Sequence, residues 1–268
     1  MISRQIGSML AELAIVVGLA STLVCGIVLP LTAQVETERE RRTQKQLDEL
    51  RLALTGFAQA NGRLPCPADP ALPATAPSAG REPGFIGREC AHGYHGTIPW
   101  VTLGLPQLDS WGRRFIYRVA RDLANNWNEC AADGVGASIC PAATPPSTAP
   151  ANADAFEIRS RRMSGPLRAA TEPIATGLAV VVVSAGPNGR FGYRADGRRD
   201  VPLPAGGSDE ARNAASTSVS FMLEMPRPGS GYCDDDRAGG EACAFDDRLR
   251  WISRARLISD VARVSAAR

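Results

Sequence analysis

The chain has 268 residues, 44% of them hydrophobic, enough for one large domain or two small ones around a real core. Its 30 basic and 28 acidic residues leave a formal charge of +2 with no long single-sign block, and aromatics make up only 6%, so no nucleic-acid-binding stripe is expected. Of the seven cysteines, Cys66, Cys90, Cys130, Cys140, Cys233 and Cys243 lie beyond the apolar N-terminus as three sequence-local pairs. Six cysteines allow fifteen connectivities, but short loops rich in Gly, Pro and Ala favour the local one, and with it an oxidising compartment. Reduced buried cysteines or a metal site are the alternative, although no C-x-x-C pair of the kind zinc prefers is present.

In chain order the first element is Leu13 to Ala33, uncharged and about long enough to cross a hydrocarbon core of roughly 30 Å as a helix. A conventional secretory signal would be shorter and end in a small-x-small site, which Leu31-Thr32-Ala33 matches poorly. A lipoprotein signal ending at Cys25 would want small residues where Leu23 and Val24 stand, and an uncleaved anchor is a further option. Just ahead of the apolar run sits Glu12. A charged carboxylate in a membrane helix costs about 2.5 to 3.5 kcal/mol on insertion scales, so by default it has a partner and a role.

Arg4, then Gly7, then Glu12 five residues on at the head of a long apolar helix resemble the type IV prepilin signal shared by pilins and type II secretion pseudopilins. Ser8 and Ala11 stand where that family usually has phenylalanine and a large apolar residue. The resemblance implies cleavage between Gly7 and Ser8 by a prepilin peptidase, methylation of the new amine, and pairing of Glu12 with the Ser8 amine of a neighbouring subunit. Each buried charge then has a partner, and a wrong stagger is penalised. Pro30 falls about where such helices carry a kinking proline.

Residues 34 to 61 continue as a charged helix in which Leu47, Leu50, Leu54 and Phe57 form an apolar stripe that begins only in the second half. Residues 34 to 45 read equally well as a solvated linker helix, and Asn61-Gly62 supplies a stop. From Arg63 to Asp109 the chain is proline-rich and loop-like, stapled by a Cys66 to Cys90 link. Strands are expected at Arg114 to Ala120, Ala155 to Ser160, Gly177 to Ala185 and Ser218 to Met225, with "AVVVV" apolar on both faces and therefore central. Asn128 to Asn152, with Cys130 and Cys140, reads as an irregular excursion, and Leu249, Ile252, Leu257 and Val261 fall roughly on one helical face of the tail. The phrases "NGRLPCPA", "DSWGRRFIYRV", "VVVSAGPNGRFG" and "FDDRLRWIS" are similar to stretches in large prepilin-type proteins of type II secretion systems.

Candidate chemistry is sparse. His92 and His95 with Cys90 could be drawn as a metal cluster, but the spacing suits a plain polar loop, and no G-x-S-x-G elbow supports a hydrolase triad. "GPNG" lacks the Gly-Lys-Ser/Thr ending of a phosphate loop. The better ligand set is the acidic patch Asp234, Asp235, Asp236, Glu241, Asp246 and Asp247 around Cys233 and Cys243. Hard oxygens on a closed loop suit calcium, as the pseudopilin resemblance also implies, while the absent EF-hand register leaves a solvated acidic loop open. Within this patch Asp234, Asp236, Glu241 and Asp246 are the candidate ligands; Asp196, Asp200 and Asp209 form a weaker second set.

The expectation is an α+β, pilin-like fold: a leader at 1–7, a transmembrane or filament-core helix at 8–33, its amphipathic continuation at 34–61, and a globular head at 62–268 with a mainly antiparallel sheet and disulfide-closed loops. The resemblance implies a non-enzymatic, minor structural subunit of a type II secretion pseudopilus or type IV pilus-like filament, single-pass in a bacterial inner membrane with its head in the periplasm or on a filament. Its expected partners are prepilin peptidase, other pilin or pseudopilin subunits, an inner-membrane assembly platform and the membrane, but no nucleic acid; no cofactor beyond structural calcium is expected. A filament-anchored adhesin or ligand-binding module is the alternative, and a secreted enzyme with an ordinary signal a more distant one.

Overall fold

A computed structural model describes residues 3–87, 89–124, 156–161, 171–199, 201, 209–223 and 245–266, with side chains ahead of Ala33 described only for Ile15, Val16 and Val17. The chain divides into two compact units, Met1–Arg42 and Thr43–Arg268.

Helix α1, Ser3–Asn61, is 59 residues long and supplies all of the described first unit. Its C-terminus is made by local chemistry: Asn61 Nδ2 donates to the Phe57 carbonyl, and Gly62, at φ +65°, donates its N–H to the Ala58 carbonyl at 2.9 Å. The expected membrane-spanning half of this helix is corrected by the structure. Among the described residues no helix is long and apolar enough to cross a membrane. From Ala33 onward α1 carries Glu36, Glu38, Arg39, Glu40, Arg41, Arg42 and Lys45 within three turns, charges that hydrocarbon would not accept. The side chains of residues 18–32 lie outside the described residues, and Ile15, Val16 and Val17 are exposed. The single-pass inner-membrane placement falls with the span.

The second unit is α+β. In chain order after α1 come β1 (Phe85–Ile86), β2 (Glu89–Cys90), β3 (His95–Thr97), α2 (Trp100–Leu103), β4 (Ile116–Val119), α3 (Arg121–Ala124), β5 (Phe156–Arg161), β6 (Thr171–Ser184), α4 (Asp209–Ala214), β7 (Ser220–Met222), β8 (Arg248–Ser253) and α5 (Arg254–Ala266). The six-stranded sheet is organised by β6. One edge of it pairs antiparallel with β4 over Val180–Val183 and then with β5 from Leu178 down to Thr171; the other edge pairs with β8 over Leu178–Ser184. β3 adds antiparallel to β4, and β7 adds to β5 as the parallel pair. Flanked on both edges, Ala179 to Val183 are at most 2% exposed, as a run apolar on both faces requires.

The second half of α1 packs into this unit through Leu47, Leu50, Leu54 and Ala58, with Leu257 and Val261 of α5 in the same core. Arg250 on β8 pairs with Asp48 at 2.9 Å, and Gln59 donates to the Asp260 carbonyl. The tail therefore differs from a single helix: Leu249 and Ile252 belong to a strand, and the helix starts at Arg254. The 63–109 segment is tied down by the Cys66–Cys90 disulfide and by Arg63, whose guanidinium lies over both Phe57 and Phe85 while it pairs with Glu82. Glu82 Oε1 also accepts the Cys66 N–H at 2.7 Å.

Candidate functional site

Two features carry the functional reading, one on α1 and one in the second unit. Gly7, Ser8, Glu12 and Pro30 all fall within helix α1; their side chains lie outside the described residues.

The second feature is a cluster of carboxylates at the far end of the sheet. Strand β6 ends at Ser184 and turns through Gly186, at φ +58°, to Asn188; β8 begins just after Asp246 and Asp247. Pairing of Ser184 with Arg248 brings these two segments side by side. The approach is so close that a Cβ on Gly186 would stand 2.3 Å from the Asp246 carbonyl oxygen. Helix α4 then places Glu210 against them. Carboxylate oxygens of Glu210, Asp246 and Asp247 lie within 4.8 Å of one another.

The hydrogen bonds around the cluster are specific. Asn188 donates its N–H to Asp246 Oδ2 at 2.8 Å and its Nδ2 to Glu210 Oε1 at 2.9 Å, and Asp247 Oδ2 accepts from Asn213 Nδ2 at 2.9 Å. Asp246 Oδ1 is buried with no partner among the described residues. Burial raises the Glu210 carboxyl above its ordinary range; burial, with the negative charge of Glu210 behind it, pushes Asp246 up to about 7. Arg190 and Arg248 offset part of the charge. Hard oxygens gathered at this spacing, one of them unpartnered, fit calcium, which takes six to eight such ligands.

Of the expected ligands, Asp246 is therefore in the cluster, whereas Asp234, Asp236 and Glu241 lie outside the described residues, as do Cys130, Cys140, Cys233, Cys243 and Asp200. Glu210 is the residue that sequence reasoning missed. It lies 36 positions from Asp246, and only the fold of α4 onto the β6 turn brings the two together. Asp209 is buried beside it, while Asp196 is exposed and accepts the Arg198 N–H. The His92, His95 and Cys90 grouping is not a metal cluster here. Cys90 is bonded to Cys66, His92 is exposed, and His95 faces cations: burial and then the charges of Arg118 and Arg199 press its imidazole down to about 4.

Asp109 shapes the "DSWG" turn rather than a reaction centre. Its Oδ1 accepts the N–H groups of Trp111 and Arg113, its Oδ2 accepts Ser184 Oγ–H at 2.6 Å, and Gly112 takes φ +82°. No family model, no curated protein and no solved structure matches the chain.

Proposed function

We propose that the chain is a non-enzymatic structural subunit, a minor one, of a type II secretion pseudopilus or type IV pilus-like filament. The observation that carries this reading is the 59-residue helix α1, which holds Gly7, Ser8 and Glu12 in its first turns and whose last turns, Leu47 to Ala58, are built into the core of an α+β head. Prepilin peptidase cuts between Gly7 and Ser8, and the exposed Ser8 amine of one subunit pairs with Glu12 of the next inside a helical bundle. Removal of either partner would leave the other charge uncompensated in a low-dielectric surrounding.

The acidic cluster serves this role as a brace. Glu210, Asp246 and Asp247 would hold a calcium ion, whose charge would relieve the repulsion between the carboxylates and lock α4, the β6 turn and the start of β8 together. What supports this is the unpartnered Asp246 Oδ1 within a set of oxygens already in place.

The deciding experiment is the mature N-terminus, read by mass spectrometry from cells with and without a prepilin peptidase. A start at Ser8 that depends on the peptidase is the expected result. An intact Met1, or a start near Gln34, refutes the reading. In the same cells Glu12→Ala should leave the protein in place but reduce its incorporation into filaments.

A further inference from the structure

Edges of the six-stranded sheet are stopped in different ways. On the far side of β3 the Ala68 backbone pairs with Thr97 alone: Ala68 N–H donates to the Thr97 carbonyl at 2.9 Å, and Thr97 N–H to the Ala68 carbonyl at 3.1 Å. β8 covers β6 only from Leu178 onward. The uncovered residues 171–177 carry Pro173, which has no N–H to offer, and end at Gly177, which takes φ +64°.

Strand β7 ends the order β3-β4-β6-β5-β7. Just before it the Val219 carbonyl accepts the Glu157 N–H at 3.0 Å, and just after it Leu223 N–H donates to the Arg159 carbonyl at 2.8 Å, so residues 219 and 223 turn their peptide groups toward β5. Alternation along the strand then turns those of Met222 away from β5, to the outer edge. What meets them is a side chain. Met222 N–H donates to Asn213 Oδ1 at 2.7 Å, and Asn213 Nδ2 donates to the Met222 carbonyl at 3.0 Å. One donor and one acceptor returned to one residue are the pair of bonds that an antiparallel strand would make there. Asp247 Oδ2 accepts from the same Nδ2 at 2.9 Å, which fixes which end of the amide faces which group. Asn213 is fully buried, at 0% exposure.

We infer that Asn213 stands in for a missing strand and closes the β7 edge, and that without it this edge takes up the β7 edge of a second copy, antiparallel, Met222 against Met222. The filament and calcium readings play no part in this. The occupant follows from the groups uncovered. Met222 would present one N–H and one C=O on a single residue, and two such edges related by a twofold axis satisfy each other with the same two bonds that Asn213 now makes. Left unpaired beneath α4, each group would carry the desolvation cost of a buried peptide group, so the opened edge is driven to find a partner. α4 cannot replace the lost bonds. It is six residues long, too short to be stable as an isolated helix, and what it brings to the core is Ala211 and Ala214. Its C-terminal turn gives way where a strand enters. At Thr97, by contrast, the bonding partner is backbone, which truncation of a side chain leaves in place.

The test is hydrogen–deuterium exchange of the Met222 amide in the full-length chain, read at two protein concentrations about tenfold apart. In wild type the amide should be protected equally at both. In Asn213→Ala it should be protected at the higher concentration and exchange about fivefold faster at the lower one, because pairing between copies is lost on dilution and a bond within the chain is not. Fast exchange at both concentrations means that water takes the edge, and protection equal to wild type at both means that Asn213 is not what closes it; either overturns the inference. Should the alanine variant fail to fold, Asn213→Ser decides in its place, since one hydroxyl cannot supply both bonds: a dilution effect of about twofold is expected, and none refutes the pairing. A second measurement names the edge. By light scattering at the higher concentration Asn213→Ala should have about twice the mass of wild type. Asn213→Ala with Met222→Pro, which removes the N–H on the outward side of an edge strand where proline is tolerated, should return to the wild-type mass. A double variant that stays heavy places the contact elsewhere and overturns the inference.

Discussion

Acid should weaken the head through His95. This residue sits on β3 directly opposite Arg118 on β4, with Arg199 adding a second cation, and its Nε2 is buried without a partner. Its folded-state pKa is about 4, against 6.5 for the free side chain, so the unfolded chain binds the extra proton between those values. Stability therefore rises with pH across this window; the contribution is fully present above 6.5 and is lost as pH falls toward 4. A difference of 2.5 units at about 1.36 kcal/mol each gives a total near 3.4 kcal/mol, of which about 3 kcal/mol is lost by pH 4. Asp109 and Asp246, whose pKa values are raised, titrate with the opposite sign in the acid range, so the wild-type profile alone would mix the two effects. The difference between wild type and His95→Asn isolates one. Asparagine keeps a donor for the Ala214 carbonyl, which the imidazole now uses, and does not titrate. Urea unfolding of both proteins at half-unit steps from pH 7.5 to 4 should show the difference moving by about 3 kcal/mol in favour of the variant. A difference that stays flat over the whole range refutes the burial argument.

Three further outcomes follow from the packing. Reduction of the Cys66–Cys90 disulfide, or Cys66→Ser with Cys90→Ser, frees a closed loop of sequence separation 24 and should cost about 3 kcal/mol, read as a lower urea midpoint with a steeper slope, since the released chain unfolds to a more expanded state. Glu82→Gln leaves the Arg63 guanidinium, 16% exposed and held between Phe57 and Phe85, without its carboxylate; the expected loss is about 3 kcal/mol, and Arg63→Met combined with Glu82→Gln should recover part of it. Gly186→Ala should lower the melting temperature by several degrees and weaken the response to added calcium, because its Cβ would meet the Asp246 backbone at a φ of +58°. Calcium that raises the melting temperature of Gly186→Ala as much as that of wild type would contradict the close approach of these segments.

What the sequence showed and what it hid divide along the range of the interactions. "AVVVV" announces a covered strand because both faces are apolar, and Leu47, Leu50 and Leu54 announce a packed helix face because their spacing is that of a helix; both are local patterns, and all these residues are buried. Leu249 and Ile252 mislead for a related reason. Their three-residue spacing suits a helix, but along the regular register of β8 against Val180 to Val183 they face opposite sides of the sheet, and both are buried because the sheet is covered on both faces here. Phe57 continues the apolar stripe by spacing yet is only partly buried, since its ring serves as a platform for Arg63 while Ala58 enters the core. Polar tertiary contacts leave no such trace. Nothing near Arg114 tells that this residue, two positions ahead of β4, is fully buried and held by the carbonyls of Pro70 and Ala195 over the face of Trp100, or that Glu210 will meet Asp246.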